Sequence, residues 1–280
     1  MTTINFTCIV CGNDKYSIPY SEEFNVLECI KCKFGIIEPI PANDVLVNLY
    51  NTEAYFNTHM RQEDEALSEK ELKESVNKQG TFHFHYLDKI LKQNSSVLEI
   101  GPGYGLQLKY LSNAGYKVKG VETSENAVSF IKNKLGLKVE RSSLEDYEDK
   151  TKYDILMLNH VLEHFRDLHI AMLKITSLIK IGGHIYLRVP NHDSYDRRKM
   201  KKEWPAYLPF HISYFSKKSL KILLTKYNFE IICMEEYVSD TFLQKIPKYF
   251  KKFIKYFMFI FGISPYINGR TITIIAKYNA

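Results

Sequence analysis

Residues 96–105 read S-V-L-E-I-G-P-G-Y-G, which places Glu99, Gly101, Gly103 and Gly105 at alternate positions behind an apolar run. Glycine carries no Cβ, so a backbone built from it can approach a ligand closely. A second acid, Glu122, ends the next apolar run about twenty residues on, the spacing at which a carboxylate meets ribose hydroxyls in nucleotide-binding units. The last glycine of the dinucleotide pattern is absent, since its place falls on Leu106. Four cysteines form a second grouping. Cys8 and Cys11 make one C-x-x-C pair and Cys29 and Cys32 another, with residues 12–28 between them. Thiolates at this spacing fit a closed tetrahedral zinc site, with two disulfides as the alternative. A third grouping is histidine-rich. Residues 159–164 read N-H-V-L-E-H, and residues 203–216 read E-W-P-A-Y-L-P-F-H-I-S-Y-F-S. Both carry imidazoles able to move a proton near neutral pH.

These groups need elements to hold them. Apolar runs predict strands near 96–100, 117–121, 137–140, 153–158, 184–189, 229–237 and 271–277. Amphipathic spacing predicts helices near 105–114, 124–134, 167–179 and 217–227. Strand and helix alternate, which implies a mostly parallel sheet with helices on both faces. Gly182 and Gly183 are expected to turn the chain into the fifth strand. Short strands at 16–18 and 24–27 are expected between the cysteine pairs. A segment this short cannot build its own core, so a bound metal would supply much of its folding energy.

The pattern E-x-G-x-G-x-G with a later acid resembles the class I S-adenosylmethionine-dependent methyltransferases, over residues 80–280. The resemblance implies an α/β, doubly wound, seven-stranded, mostly parallel sheet, with the last strand antiparallel between the fifth and sixth. The cofactor would be S-adenosyl-L-methionine. Gly101, Gly103 and Gly105 would approach its amino acid part, and Glu99 would organise that loop or its ammonium. Glu122 would take the ribose hydroxyls, Ser143 and Leu144 would flank the adenine, and Asn159 would line the methionine end. V-L-E-H after the fourth strand is similar to many small-molecule members of the family. The same residues match H-x-x-E-H of the inverted zinc proteases, but that motif needs both histidines on one long helix. His211 is the leading candidate for a general base, with His160 and His164 as the others. Trp204, Tyr207 and Tyr214 are expected to wall the acceptor pocket, since such sheets bind ligands at the carboxyl ends of their strands.

The expected organisation is a zinc-ribbon module over 1–41 with a structural Zn2+ on Cys8, Cys11, Cys29 and Cys32. A helical linker or lid follows over 42–95, then the methyltransferase domain over 96–280 with a helical insertion at 240–269. A ribbon ahead of this domain resembles sugar methyltransferases. The expected partner is therefore a small hydroxylated acceptor such as a nucleotide-linked sugar or surface-glycan precursor, with O-methylation favoured. The large C-terminal domain of the sugar C-methyltransferases is not expected here, which weakens that subtype. The alternatives are an RNA- or protein-directed methyltransferase that uses the ribbon for recognition, and a non-catalytic binding protein that keeps the cofactor fold. A net charge of +6 is too mild to establish nucleic-acid binding. The first residues, M-T-T-I-N, show no basic n-region, so the expected location is cytoplasmic. Residues 245–261 mix lysine with phenylalanine and tyrosine. They are expected to form a helix packed on the domain or a dimer face, with peripheral membrane contact as a second reading.

Overall fold

A computed structural model describes residues 6–42, 45–46, 68–88, 90–237 and 270–280. Most of the linker or lid before residue 68, and the 240–269 insertion with its basic–aromatic stretch 245–261, lie outside the described residues. Among the described residues no helix is long and apolar enough to cross a membrane.

The N-terminal module is built from β1 (Tyr16–Ser21), β2 (Asn25–Cys29) and β3 (Gly35–Glu38), an antiparallel meander. The third strand is one more than the sequence pattern predicts. A fourth, β9 (Ser213–Tyr214), comes from far along the chain, so the sheet order is β1-β2-β3-β9.

The main domain follows with α1 (Glu69–Leu87), β4 (Ser96–Ile100), α2 (Leu106–Asn113), β5 (Lys117–Glu122), α3 (Glu125–Asn133), β6 (Val139–Arg141) and β7 (Tyr153–Asn159). After these come α4 (Leu168–Leu178), β8 (Ile179–Pro190), α5 (Tyr195–Met200), α6 (Lys217–Lys226), β10 (Phe229–Tyr237) and β11 (Thr271–Tyr278). The seven-stranded sheet has the order β10-β11-β8-β7-β4-β5-β6. β11 is antiparallel to both neighbours, and the pairs β8–β7, β7–β4, β4–β5 and β5–β6 are parallel.

Successive side chains of a strand point to opposite faces. Both faces here are covered, so the strands read as continuous apolar runs rather than alternating ones. In β7, Leu156 and Leu158 join the core under α4 and α6, where Ala171, Ile175 and Leu223 pack. Ile155 and Met157 face the opposite side with Leu87 and Leu111. Each fully buried aliphatic side chain of this kind contributes about 1.5–3 kcal/mol by leaving water.

The helix starts are set by local chemistry. Ser124 accepts from the Ala127 amide and Asp167 from those of His169 and Ile170. Ser216 and Ser219 form a reciprocal capping box at α6. Each such cap satisfies amides that the helix itself cannot, which contributes about 1 kcal/mol. One boundary departs from expectation. β8 begins at Ile179, directly after α4, and Gly182 and Gly183 lie inside it, where the pairing with β7 slips between Tyr153 and Ile155. The glycines thus allow an irregularity within the strand rather than a turn before it.

Candidate functional site

The carboxyl ends of β4, β5, β6, β7 and β8 open on one edge of the sheet, and the sequence-predicted groups gather there. Gly101, Gly103 and Gly105 have φ of 63°, 55° and 70°, all in the left-handed region. A Cβ at Gly101 would stand 2.6 Å from Val161, and one at Gly105 2.8 Å from Ile131. At Gly103 a Cβ would meet nothing within 4 Å. Two glycines are therefore demanded by the protein's own packing, while the middle one presents bare backbone to the open side of the turn.

Glu122 holds this turn in place. Its Oε2 accepts from the Gly103 amide at 3.0 Å, and its Oε1 from the Thr123 and Ser124 amides at 2.8 and 2.9 Å. Burial raises its pKa more than these amide bonds lower it. Glu99 is 2% exposed, and its Oε2 is buried without a partner. Burial, reinforced by the charge of Glu122, pushes its pKa up to about 8. A buried carboxyl with an unsatisfied oxygen is costly unless a ligand completes it. An ammonium group opposite Glu99 has the donors and the charge to do so. Gln107 Nε2, one turn into α2, is also buried without a partner. Nothing in the sequence distinguishes that side chain from an ordinary helical glutamine.

Beyond β6, Ser143 Oγ accepts from the Asp146 amide at 3.1 Å, and Leu144 is buried in the main core. Asn159 ends β7, and its Oδ1 accepts from Arg188 at 3.2 Å. His160 follows with φ 57°, a left-handed conformation uncommon outside glycine, and its amide donates to the Arg188 carbonyl at 2.9 Å. Its Nδ1 lies 3.3 Å from Glu163 Oε1, and its side chain is 37% exposed. Because the carboxylate can only accept, Nδ1 is the donor, and Nε2 is the ring nitrogen left for other contacts.

Glu163 sits inside the V-L-E-H motif, where the sequence draws attention to its histidine neighbours instead. It is 1% exposed, and its Oε2 has no partner. Burial pushes its pKa up, but the His160 hydrogen bond and the neighbouring imidazoles outweigh this and hold it at about 2. His164 Nδ1 donates to the Phe210 carbonyl at 3.1 Å, and His211 Nδ1 to the Ala206 carbonyl at 2.8 Å. The two rings meet edge to face at 5.0 Å. Burial, with His164 alongside, pushes the His211 pKa down to about 3. Glu163, His164 and His211 each bring one ligating atom within 4.8 Å of the others.

Trp204, Tyr207 and Tyr214 lie beside this cluster, 5%, 8% and 2% exposed. Their rings pack with Tyr20, Val26 and Ile37 of the N-terminal module. The four cysteines converge as well. Cys8 and Cys32 Sγ are 3.5 Å apart, as are Cys11 and Cys29 Sγ, and all four sulfurs lie within 4.8 Å of one another. All are free thiols. Sulfurs about 2.3 Å from a shared tetrahedral ion would be spaced at this scale, so the donor set fits zinc.

The family model described as a methyltransferase domain matches residues 69–234, more than half of the chain and the whole of the glycine turn, Glu122 and the histidine cluster. The chain belongs to the methyltransferase domain family. Its fold is that of the class I S-adenosylmethionine-dependent methyltransferases. A ubiquinone biosynthesis O-methyltransferase of Pelagibacter ubique is 29% identical over 125 residues, 43% of this chain and 51% of that protein. A second, from Bradyrhizobium diazoefficiens, is 27% identical over 31% of this chain and 36% of its own length. The chain thus spans about half or less of the curated relatives it matches. Among solved structures, a SAM-dependent methyltransferase of Archaeoglobus fulgidus superposes with a TM-score of 0.56 at 21% identity, over 75% of this chain and 97% of that one. The Burkholderia thailandensis 1,6-didemethyltoxoflavin-N1-methyltransferase gives 0.56 at 13% identity, over 93% and 97%. At these identities the likeness is one of fold. It agrees with the antiparallel β11 between β8 and β10 in the methyltransferase sheet.

Proposed function

We propose that this methyltransferase transfers a methyl group from S-adenosyl-L-methionine to the oxygen of a small hydroxylated acceptor. The observation that carries the reading is the buried, unsatisfied Glu99 carboxyl behind a glycine turn clamped by Glu122. Glu99 would take the cofactor's ammonium, Gly103 its carboxylate side, and Glu122 its ribose hydroxyls. Ser143 and Leu144 would border the adenine and Asn159 the methionine end. When bound, the cofactor supplies an activated methyl on a sulfonium. The protein's share is alignment, exclusion of water and removal of the hydroxyl proton.

For the proton we assign His160. Glu163 fixes its Nδ1–H, its Nε2 is free to accept, and its side chain reaches the open edge. His211, held near a pKa of 3 and packed among aromatic rings, is a weak base in this state, and His164 shares that burial. Structural zinc on Cys8, Cys11, Cys29 and Cys32 completes the proposal.

A nucleotide-linked sugar or glycan precursor is the proposed acceptor class, as the ribbon ahead of the domain suggests. The relatives' names favour a phenolic hydroxyl as the second reading. Radiolabelled methyl transfer should be measured against nucleoside-diphosphate sugars, catechols such as 3,4-dihydroxybenzoate, bulk RNA and bulk protein. The first reading expects label in the sugar arm. Label in the catechol arm moves the acceptor to the phenolic class, and label in RNA or protein contradicts a small-molecule acceptor.

Glu99 adds a pH signature. With a ligand-free pKa of about 8 it is mostly protonated at pH 7, and it must release that proton to pair with an ammonium. S-adenosylhomocysteine binding at pH 7 should therefore release close to one proton and weaken as pH falls further. Calorimetry in two buffers of different ionisation enthalpy reads this directly, and equal heats in both would contradict it.

A further inference from the structure

The N-terminal module is hydrogen-bonded into the histidine side of the site. β9 pairs with β3 through Gly35–Tyr214 and Ile36–Ser213, and the Ile37 amide donates to the Ile212 carbonyl at 3.0 Å. Ser216 Oγ, which also caps α6, donates to the Cys32 carbonyl at 2.7 Å. From β2, the buried carboxylate of Glu28 receives Lys33 at 3.0 Å and the Arg197 guanidinium of α5, with His192 Nδ1 at 3.5 Å. Tyr20, Val26 and Ile37 share one buried cluster with Trp204, Tyr207 and Tyr214. On its far side the same segment is tied to the site: the Ile212 amide donates to the Glu163 carbonyl at 2.8 Å, and His211 is the residue before it. Residues 204–216 are thus held between the four-cysteine module and the Glu163–His164 turn.

We propose that the four-cysteine module is a strut for the acceptor side of the site, so that its four thiols and the Glu28 anchor set the conformation of residues 204–216 and, through Ile212, of the Glu163–His164 turn. The proposal rests on the methyltransferase reading only for the word acceptor; the coupling rests on the strand pairing and the shared cluster. The module's buried cysteines share the large core with Leu98, Ile100 and Val121, but its strand pairing and the Ser216 hydrogen bond go to the 204–216 segment, whereas the glycine turn is held by Glu122 and by β4, β5 and α2. Without its metal, a knuckle pair of this size loses much of its folding energy. β9 then loses its strand partner and Trp204 loses its packing, while β4 and β5 keep their strand pairing.

Trp204, 5% exposed, is the chain's only tryptophan and reports on this cluster without any acceptor. Three measurements on the full chain test the strut: Trp204 emission, amide hydrogen exchange, and S-adenosylhomocysteine calorimetry. The variants are Cys8→Ser with Cys11→Ser, which removes two sulfurs, and Glu28→Gln, which keeps all four. In both, Trp204 emission should shift to the red and exchange over 206–216 should rise by about tenfold or more, while exchange over 97–105 and the affinity stay within about threefold. Unchanged emission and exchange over 206–216 in both variants would overturn the proposal. So would an equal loss of protection over 97–105 with loss of binding, because the module would then hold the whole fold rather than one side of the site. If the cysteine variant does not fold, Glu28→Gln decides alone. Failure of the wild-type chain to bind S-adenosylhomocysteine counts against the methyltransferase reading, and the emission and exchange arms still decide the strut.

Discussion

His160→Ala should lower kcat by about 10²–10⁴-fold, the range a positioned proton acceptor contributes. The expectation follows from its geometry: Nδ1 faces a buried carboxylate at 3.3 Å, the side chain is 37% exposed, and the left-handed backbone donates its N–H to the Arg188 carbonyl. Glu163→Gln keeps the shape but loses the charge that fixes the tautomer, so it should lower kcat by a smaller factor. The control is His211→Ala. Its Nδ1 is committed to the Ala206 carbonyl and its ring is packed, so its removal should affect stability more than the chemical step. A near-normal rate for His160→Ala beside a collapsed rate for His211→Ala would move the base to His211. If His160→Ala, His164→Ala and His211→Ala all stay active, the enzyme works by alignment and desolvation alone.

Glu122→Ala should weaken S-adenosylhomocysteine binding by about 1–3 kcal/mol, the scale of charge-assisted hydrogen bonds to hydroxyls. The carboxylate also receives the Gly103, Thr123 and Ser124 amides, so alanine removes both a ligand contact and the clamp on the turn. Glu122→Gln separates the two. It keeps an acceptor oxygen for the backbone but weakens the bonds to the ribose, and its loss should fall between wild type and alanine. Unaltered affinity in both variants would remove Glu122 from the cofactor site.

Much of the sheet domain was legible because its signals are local. β4, β7 and β10 fall at or within one residue of the expected spans: β4 and β7 are buried parallel strands, which appear as short apolar runs, and the antiparallel edge strand β10 carries an apolar run of its own. The glycine turn and Glu122 were legible for the same reason: one motif and one spacing carry them. What was missed is long-range. β9 is two residues long and has no apolar run of its own; it is a strand only because β3 offers a partner from the other end of the chain. The burial of Trp204, Tyr207 and Tyr214 against Tyr20 and Val26 has the same origin. Glu28 reads as a surface acid between two cysteine pairs, and only the fold brings Arg197 and His192 to it. Glu163 was in view but overshadowed by its histidine neighbours, because a sequence does not reveal which acid of a motif is buried.

The edge formed by Glu99, Gly103 and Glu122 is the proposed S-adenosylmethionine site. Calorimetric titration of the purified chain with S-adenosylhomocysteine, with NADH titrated in parallel, tests it most directly. Saturable one-to-one binding of S-adenosylhomocysteine is expected, with no saturable binding of NADH, whose pattern would need a glycine where Leu106 stands. Saturable binding of NADH with no response to S-adenosylhomocysteine would contradict it.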